Sequence, residues 1–173
     1  CRDFTCFDLP EELQEHLEAF NTDQLLPDLT QYDRLFIFTD GTSSPEVKRL
    51  PPLLADEVGK PDAWAFLVIG EYHTNGALAY QPIGWTAQVV RYDEEGSHYN
   101  GVSKIGSDMA ERSSLTWAAI WRLSQNVQTE TVFCTDSTVG GAQAFGEIGA
   151  CDPDDSFRLL RGTFQALQAA LPE

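Results

Sequence analysis

Three carboxylates stand at positions from which one chain could bring them together. Asp40 follows the apolar run Leu35-Phe36-Ile37-Phe38, Glu111 opens an amphipathic helical pattern, and Asp136 follows Thr131-Val132-Phe133-Cys134. Hard divalent cations take oxygen ligands. Two such ions about 3.5 to 4 Å apart can clamp a scissile phosphate together with the attacking water. Acids at the ends of two apolar strands, with a third on the helix between them, form a donor set of that kind. Taken singly, an aspartate after a strand is an ordinary turn former or cap, and a first-turn glutamate is favoured by the helix dipole. Their weight comes from their company.

The elements that must position them can be read from periodicity. Leu35 to Thr39 reads as a buried-type strand broken by the turn chemistry of Gly41-Thr42-Ser43-Ser44-Pro45, which places Asp40 at a strand's end. Residues 45 to 62, with four prolines, read as an exposed loop. Ala63 to Ile69 reads as a second strand, apolar enough to be buried on both faces. A third is expected over Trp85 to Tyr92, with Trp85, Ala87 and Val89 on one side. Tyr80-Gln81-Pro82-Ile83-Gly84 reads as the turn between these two, too short for a crossover helix, so they should pair antiparallel. Ser107-Asp108 offers an N-cap for a helix to about Asn126, with Leu115, Ala118, Ala119 and Arg122 following Glu111 at three- and four-residue steps. After the strand Thr131 to Thr135 come a Gly-interrupted helix, Thr138 to Ile148, and a last helix, Asp155 to Ala170. The last carries an apolar stripe of Phe157, Leu160, Phe164, Leu167 and Leu171. The order is βββαβαα.

The 173 residues, 42% of them hydrophobic, can bury one core, so one α/β domain is expected over residues 35–173, preceded by an acidic extension over 1–34. Within the extension, Leu13, Leu17 and Phe20 share one face of an amphipathic stretch, Glu11 to Phe20. The start at Cys1 and the stop just after a helix suggest a piece of something longer. No apolar run of membrane-spanning length and no signal-peptide pattern occurs, so the chain is expected to be soluble and intracellular, cytoplasmic or nuclear, with no membrane partner. Cys1, Cys6, Cys134 and Cys151 lack CxxC spacing, and His16, His73 and His98 have no partner at metal-ligand spacing, so neither a zinc site nor a disulfide framework is expected. A net charge of -16 argues against non-specific nucleic-acid binding, which rests on Lys and Arg neutralising phosphates. Carboxylates that hold metal nevertheless add to that charge. Lys48-Arg49, Lys60, Arg91 and Lys104 fall on expected loops and strand ends, where such charges could contact phosphates but are mostly just solvated, so no role is assigned to them. Trp117 and Trp121 read as packing aromatics rather than a base-stacking platform.

Phe38-Thr39-Asp40-Gly41-Thr42, then Ala110-Glu111 leading Leu115-Thr116-Trp117-Ala118-Ala119, then Cys134-Thr135-Asp136-Ser137, resemble the successive motifs of the ribonuclease H family. The likeness covers about residues 35 to 171 and is nearest to the domains attached to retroelement reverse transcriptases. It implies a mixed central sheet with helices packed on it. It also implies endonucleolytic hydrolysis of the RNA strand of an RNA-DNA hybrid, with Asp40, Glu111 and Asp136 as catalytic ligands of Mg²⁺, for which Mn²⁺ can substitute. Asp40 would bridge both ions, and a reverse transcriptase domain in the same polypeptide is an implied partner.

Integrases and transposases resemble this pattern but carry their glutamate last. Proofreading-type exonucleases place a second acid two residues after the first, where this chain has Thr42. The family also ends with a further strand and a helix bearing a fourth aspartate, which this chain does not reach. Asp152, Asp154 and Asp155 do not match that position, and Ser107-Asp108 stands where some members carry asparagines. Two other readings are a catalytically degenerate structural or tethering module and a metal-dependent adhesion domain. The second is suggested by Asp40-Gly41-Thr42-Ser43-Ser44 but disfavoured by three strands ahead of the first long helix.

Overall fold

The computed structural model describes residues 28–43, 62–95, 99–125, 127–150 and 154–171. The amphipathic stretch Glu11 to Phe20, the 45–61 loop with Lys48, Arg49 and Lys60, and His16, His98, Cys1, Cys6, Cys151 and Asp152 lie outside the described residues.

Among the described residues, after a 3-10 turn at Leu29–Gln31, the strands and α-helices appear in the expected order: β1 (Arg34–Thr42), β2 (Ala63–Thr74), β3 (Ala77–Val89), α1 (Ser107–Ser124), β4 (Glu130–Thr135), α2 (Thr138–Phe145) and α3 (Asp155–Ala170). The strands form one mixed sheet in the order β3-β2-β1-β4, with β1 antiparallel to β2 and parallel to β4, and β2 antiparallel to β3. The parallel pair is joined through α1, as a parallel connection requires.

The β2–β3 hairpin does not turn at Tyr80 to Gly84. Thr74 pairs with Ala77, so the loop is the dipeptide Asn75-Gly76, both with positive φ (53° and 77°). This is the two-residue turn whose twist matches that of the flanking strands, and Asn-Gly is its strongest sequence signal. Residues 80–84 instead run through β3, opposite an irregularity at Val68/Ile69. Pro82 is tolerated there because β3 lies at the sheet edge.

β1 and β2 are also not buried on both faces. Leu35, Ile37 and Thr39 alternate with half-buried Phe36 and with Phe38, which is 44% exposed. On β2, buried Trp64, Phe66 and Val68 alternate with half-buried Ala65, Leu67 and Ile69. The helices cover one face, and Leu78 and Tyr80 of β3 are exposed like Phe38. An apolar run records that a strand can be buried, not which sides receive a cover.

On the covered face, Leu115, Ala118, Ala119 and Arg122 of α1 are all buried, as their spacing predicts. Trp117 stacks on Trp64 with ring centroids 5.9 Å apart, and Trp121 meets Phe66 at 6.0 Å, so both tryptophans are packing residues. Leu160, Phe164 and Leu167 of α3 pack with Leu115 and Ala119, and Phe164 reaches Phe133 of β4. Buried Arg122 donates to Thr131 Oγ1 and to the carbonyls of Val127 and Thr129, pinning the entry to β4. The core also takes in residues ahead of β1: Leu29 and Tyr32 are buried, and Thr129 Oγ1 donates to the Leu29 carbonyl at 3.0 Å. Among the described residues, no helix is long and apolar enough to cross a membrane.

Candidate metal centre

The ladder between β1 and β4 ends at Thr39 opposite Thr135, so Asp40 and Asp136 are the next residues of two adjacent strands at the point where parallel pairing stops. Neighbouring strands lie about 4.8 Å apart, which brings the two side chains within reach of one ion. On its other side β1 stays paired with β2 to Thr42, so Asp40 lies inside the strand rather than after it, on backbone fixed by the partner. Asp136 is held differently. The Ser137 N–H donates to Thr135 Oγ1 at 3.1 Å, and Ser137 Oγ caps α2 by accepting the Gly140 N–H at 3.0 Å. The turn that carries Asp136 is therefore braced on both sides.

Glu111 comes from the second turn of α1. Gly41, the residue after Asp40, lets the helix approach: a Cβ there would overlap the backbone of Ala110 and Glu111. The Gly41 N–H also hydrogen-bonds the Glu111 carboxylate. α1 starts one residue earlier than its expected cap, since Gly106 occupies the N-cap with no side-chain bond and Ser107 is the first helical residue. Buried Asp62, which accepts the Gly106 N–H at 2.8 Å and the Tyr92 hydroxyl at 2.7 Å, holds that end instead.

These placements bring one oxygen each of Asp40, Glu111 and Asp136 to within 4.8 Å of one another. Asp40 and Asp136 are exposed and Glu111 is half-buried. Burial, then the charges of Asp136, Asp40 and Asp108, push the Glu111 carboxyl up to about 7, against the opposing Gly41 hydrogen bond. Its Oε2 is buried with no hydrogen-bond partner. An orphaned carboxylate oxygen among like charges is what a hard divalent cation would satisfy, so the residues fit such an ion.

The other candidates lie elsewhere. Asp154 is the N-cap of α3, bonding the Phe157 N–H at 3.0 Å, and Asp155 pairs with Arg158 on the surface. His73 pairs with exposed Asp33. Cys134 is a half-buried free thiol in β4, raised by burial. What sequence reasoning missed is the support around the acids. Buried Arg112, the residue after Glu111, donates to Asp154 Oδ1 and Ser156 Oγ, each at 2.8 Å, and to Gln143 Oε1 at 3.3 Å. Burial lowers the Arg112 pKa, only partly offset by Asp154. Burial would raise Asp154, but bonds from Ser156 and the Phe157 N–H, together with Arg112, hold it below the usual range. The available signal was an arginine directly after Glu111, three residues before Leu115 on the packing side of the helix.

The element order, the strand order and the three carboxylates on β1, on α1 and after β4 together define a ribonuclease H-like α/β fold. No family model matches the chain, and no curated protein matches it significantly. Among solved structures, it is similar to RNase H1 from the halophilic archaeon Halobacterium salinarum (17% identity, TM-score 0.44, covering 80% of this chain and 79% of that one). It is similar also to the N-terminal RNase H domain of a Mycobacterium tuberculosis protein (18% identity, TM-score 0.43, 80% of each chain). A foamy viral protease-reverse transcriptase matches at 11% identity and TM-score 0.34, over 85% of this chain and 82% of that one. The fold class rests on strand order and the carboxylates rather than on these superpositions.

Proposed function

We propose that this chain is a metal-dependent endonuclease that hydrolyses the RNA strand of an RNA-DNA hybrid, and that it serves as a module of a retroelement polyprotein. The observation that carries this reading is the convergence of Asp40, Glu111 and Asp136 within 4.8 Å, in the order of the family's motifs. Asp40, on a strand that stays paired with β2 to Thr42, together with Glu111 and Asp136, would hold the ions. Bound Mg²⁺ or Mn²⁺ would supply Lewis-acid polarisation of the phosphate and a water acidic enough to attack at neutral pH. The chain's own contribution is positional. Asp40 and Asp136 are exposed, so their carboxylates would be open to a phosphate, and half-buried Glu111 would hold metal from the helix side. The retroelement setting follows from the sequence motifs, which resemble those of domains joined to reverse transcriptases.

Cleavage of an end-labelled RNA-DNA hybrid in Mg²⁺ or Mn²⁺ is expected, and expected to vanish in Asp40→Asn with the far-ultraviolet spectrum unchanged. Cleavage retained in that variant refutes the reading. The net charge of -16 favours a second one, a catalytically degenerate module kept for packing or tethering. A folded protein that binds Mn²⁺ weakly or not at all and leaves the hybrid intact would support it.

A further inference from the structure

Three links fix the triangle of carboxylates, and two of them belong to the backbone. The β1–β4 ladder, ending at Thr39 and Thr135, sets Asp40 against Asp136. The close approach of α1 at Gly41 sets Asp40 against Glu111. The third side, Glu111 to Asp136, joins α1 to the turn before α2 and has no backbone pairing.

The fork of Arg112 ties α1 to α2. One arm, Nη1, goes to Asp154 and Ser156 at the start of α3; the other, Nη2, goes to Gln143 on α2. Arg112 is 6% exposed and Gln143 8%. Arg112 adjoins Glu111 in the chain, and Gln143 lies on the short helix that Ser137 starts directly after Asp136. Packing of Leu115 near Gly140 holds the same two helices together, but an apolar contact does not fix their slide or rotation as a directed hydrogen bond does.

We infer that Arg112 and Gln143 are positioning residues for the metal site: their bond, by fixing α1 against α2, holds the Glu111 and Asp136 carboxylates at metal-binding separation. The Asp154-Ser156 arm, by contrast, serves stability. This inference rests on the metal-site reading above. Lysine cannot replace Arg112, because a single ammonium lacks the planar fork that reaches two elements at once.

The test measures Mn²⁺ binding by electron paramagnetic resonance, with thermal melts alongside, on the full chain and on Gln143→Leu, Arg112→Lys and Ser156→Ala. Gln143→Leu leaves the Arg112–Asp154 ion pair in place, so it keeps the test open if Arg112→Lys does not fold. The expected result is Mn²⁺ affinity weakened about 3- to 10-fold in Gln143→Leu and Arg112→Lys, toward the lower end of what supporting-shell changes cost at metal sites. Ser156→Ala, which weakens the other arm by one of its two bonds and leaves the Gln143 bond in place, is expected to melt at lower temperature with Mn²⁺ affinity unchanged. Equal affinity in Gln143→Leu and wild type overturns the inference, as does an equal loss in Ser156→Ala, which would make the network merely structural. Absence of Mn²⁺ binding by the wild-type protein overturns the metal-site reading itself, and the inference with it.

Discussion

Glu111 and Arg112 are neighbours in one helix and occupy opposite electrostatic situations. Glu111 faces two carboxylates of its own sign, and one of its oxygens is buried without a partner. Arg112 is more deeply buried, but it faces an opposite charge and two polar oxygens at hydrogen-bond distance. The first arrangement costs stability and the second secures it. Unfavourable electrostatics one residue from a well-matched pair is the pattern expected where a protein holds a site ready for a ligand that restores the balance.

Breaking the favourable half should have the largest effect. Arg112→Met leaves half-buried Asp154 without its cation and is expected to cost about 2–4 kcal/mol, somewhat below the loss on removing one member of a fully buried pair. Chemical denaturation measures it, and a loss below about 1 kcal/mol would mean that the ion pair contributes little net stability. Next comes Gly41→Ala, whose Cβ would overlap the backbone of α1. It should cost about 1–3 kcal/mol, in the range of overpacked sites, and should weaken Mn²⁺ binding, because relief requires moving Glu111 away from β1.

Relieving the unfavourable half should stabilise the protein. The Glu111 carboxyl titrates near 7 in the fold against an ordinary value of 4.5. Between those values the folded state binds more protons than the unfolded chain, so this group's contribution to stability falls as pH rises from about 4.5 through 7. Glu111→Gln is therefore expected to raise metal-free stability at pH 8 by about 1–2 kcal/mol, discounted for solvent at a partly exposed group. The gain should disappear at pH 4.5. Added Mg²⁺ should narrow the gap by stabilising only the wild type, through mass action. A destabilised Glu111→Gln at pH 8 would contradict the picture of three repelling carboxylates. The smallest expected effect is in Ser137→Ala, which removes the cap of α2 beside Asp136. It should cost about 1 kcal/mol, read as a shift of the denaturation midpoint with unchanged slope.

Legibility varied with the range of the physics involved. α3 was found with its bounds intact, because Leu160, Phe164 and Leu167 repeat at helical spacing; that Asp154 caps it came from the structure. α2 was expected to reach Ile148 but ends at Phe145, where Gly146 adopts a left-handed φ of 82° that closes the helix. The β2–β3 turn was sought at Pro82, although Asn75-Gly76 was the stronger local signal. A proline in an edge strand is harmless, and only the sheet order reveals which strand is an edge. The alternation of Phe36 and Phe38 with Leu35 and Ile37 was hidden because all four are apolar.

By itself the sequence determined the order of elements, the carboxylates and their placement near the ends of two strands and on a helix, because each depends on periodicity and turn chemistry within a few residues. Tertiary structure alone decided which face of the sheet is covered, how near α1 comes to β1 at Gly41, and that Arg112 reaches Asp154 and Gln143. Those are contacts between residues 31 to 70 positions apart, and a pattern local to one element carries no information about the distance between two.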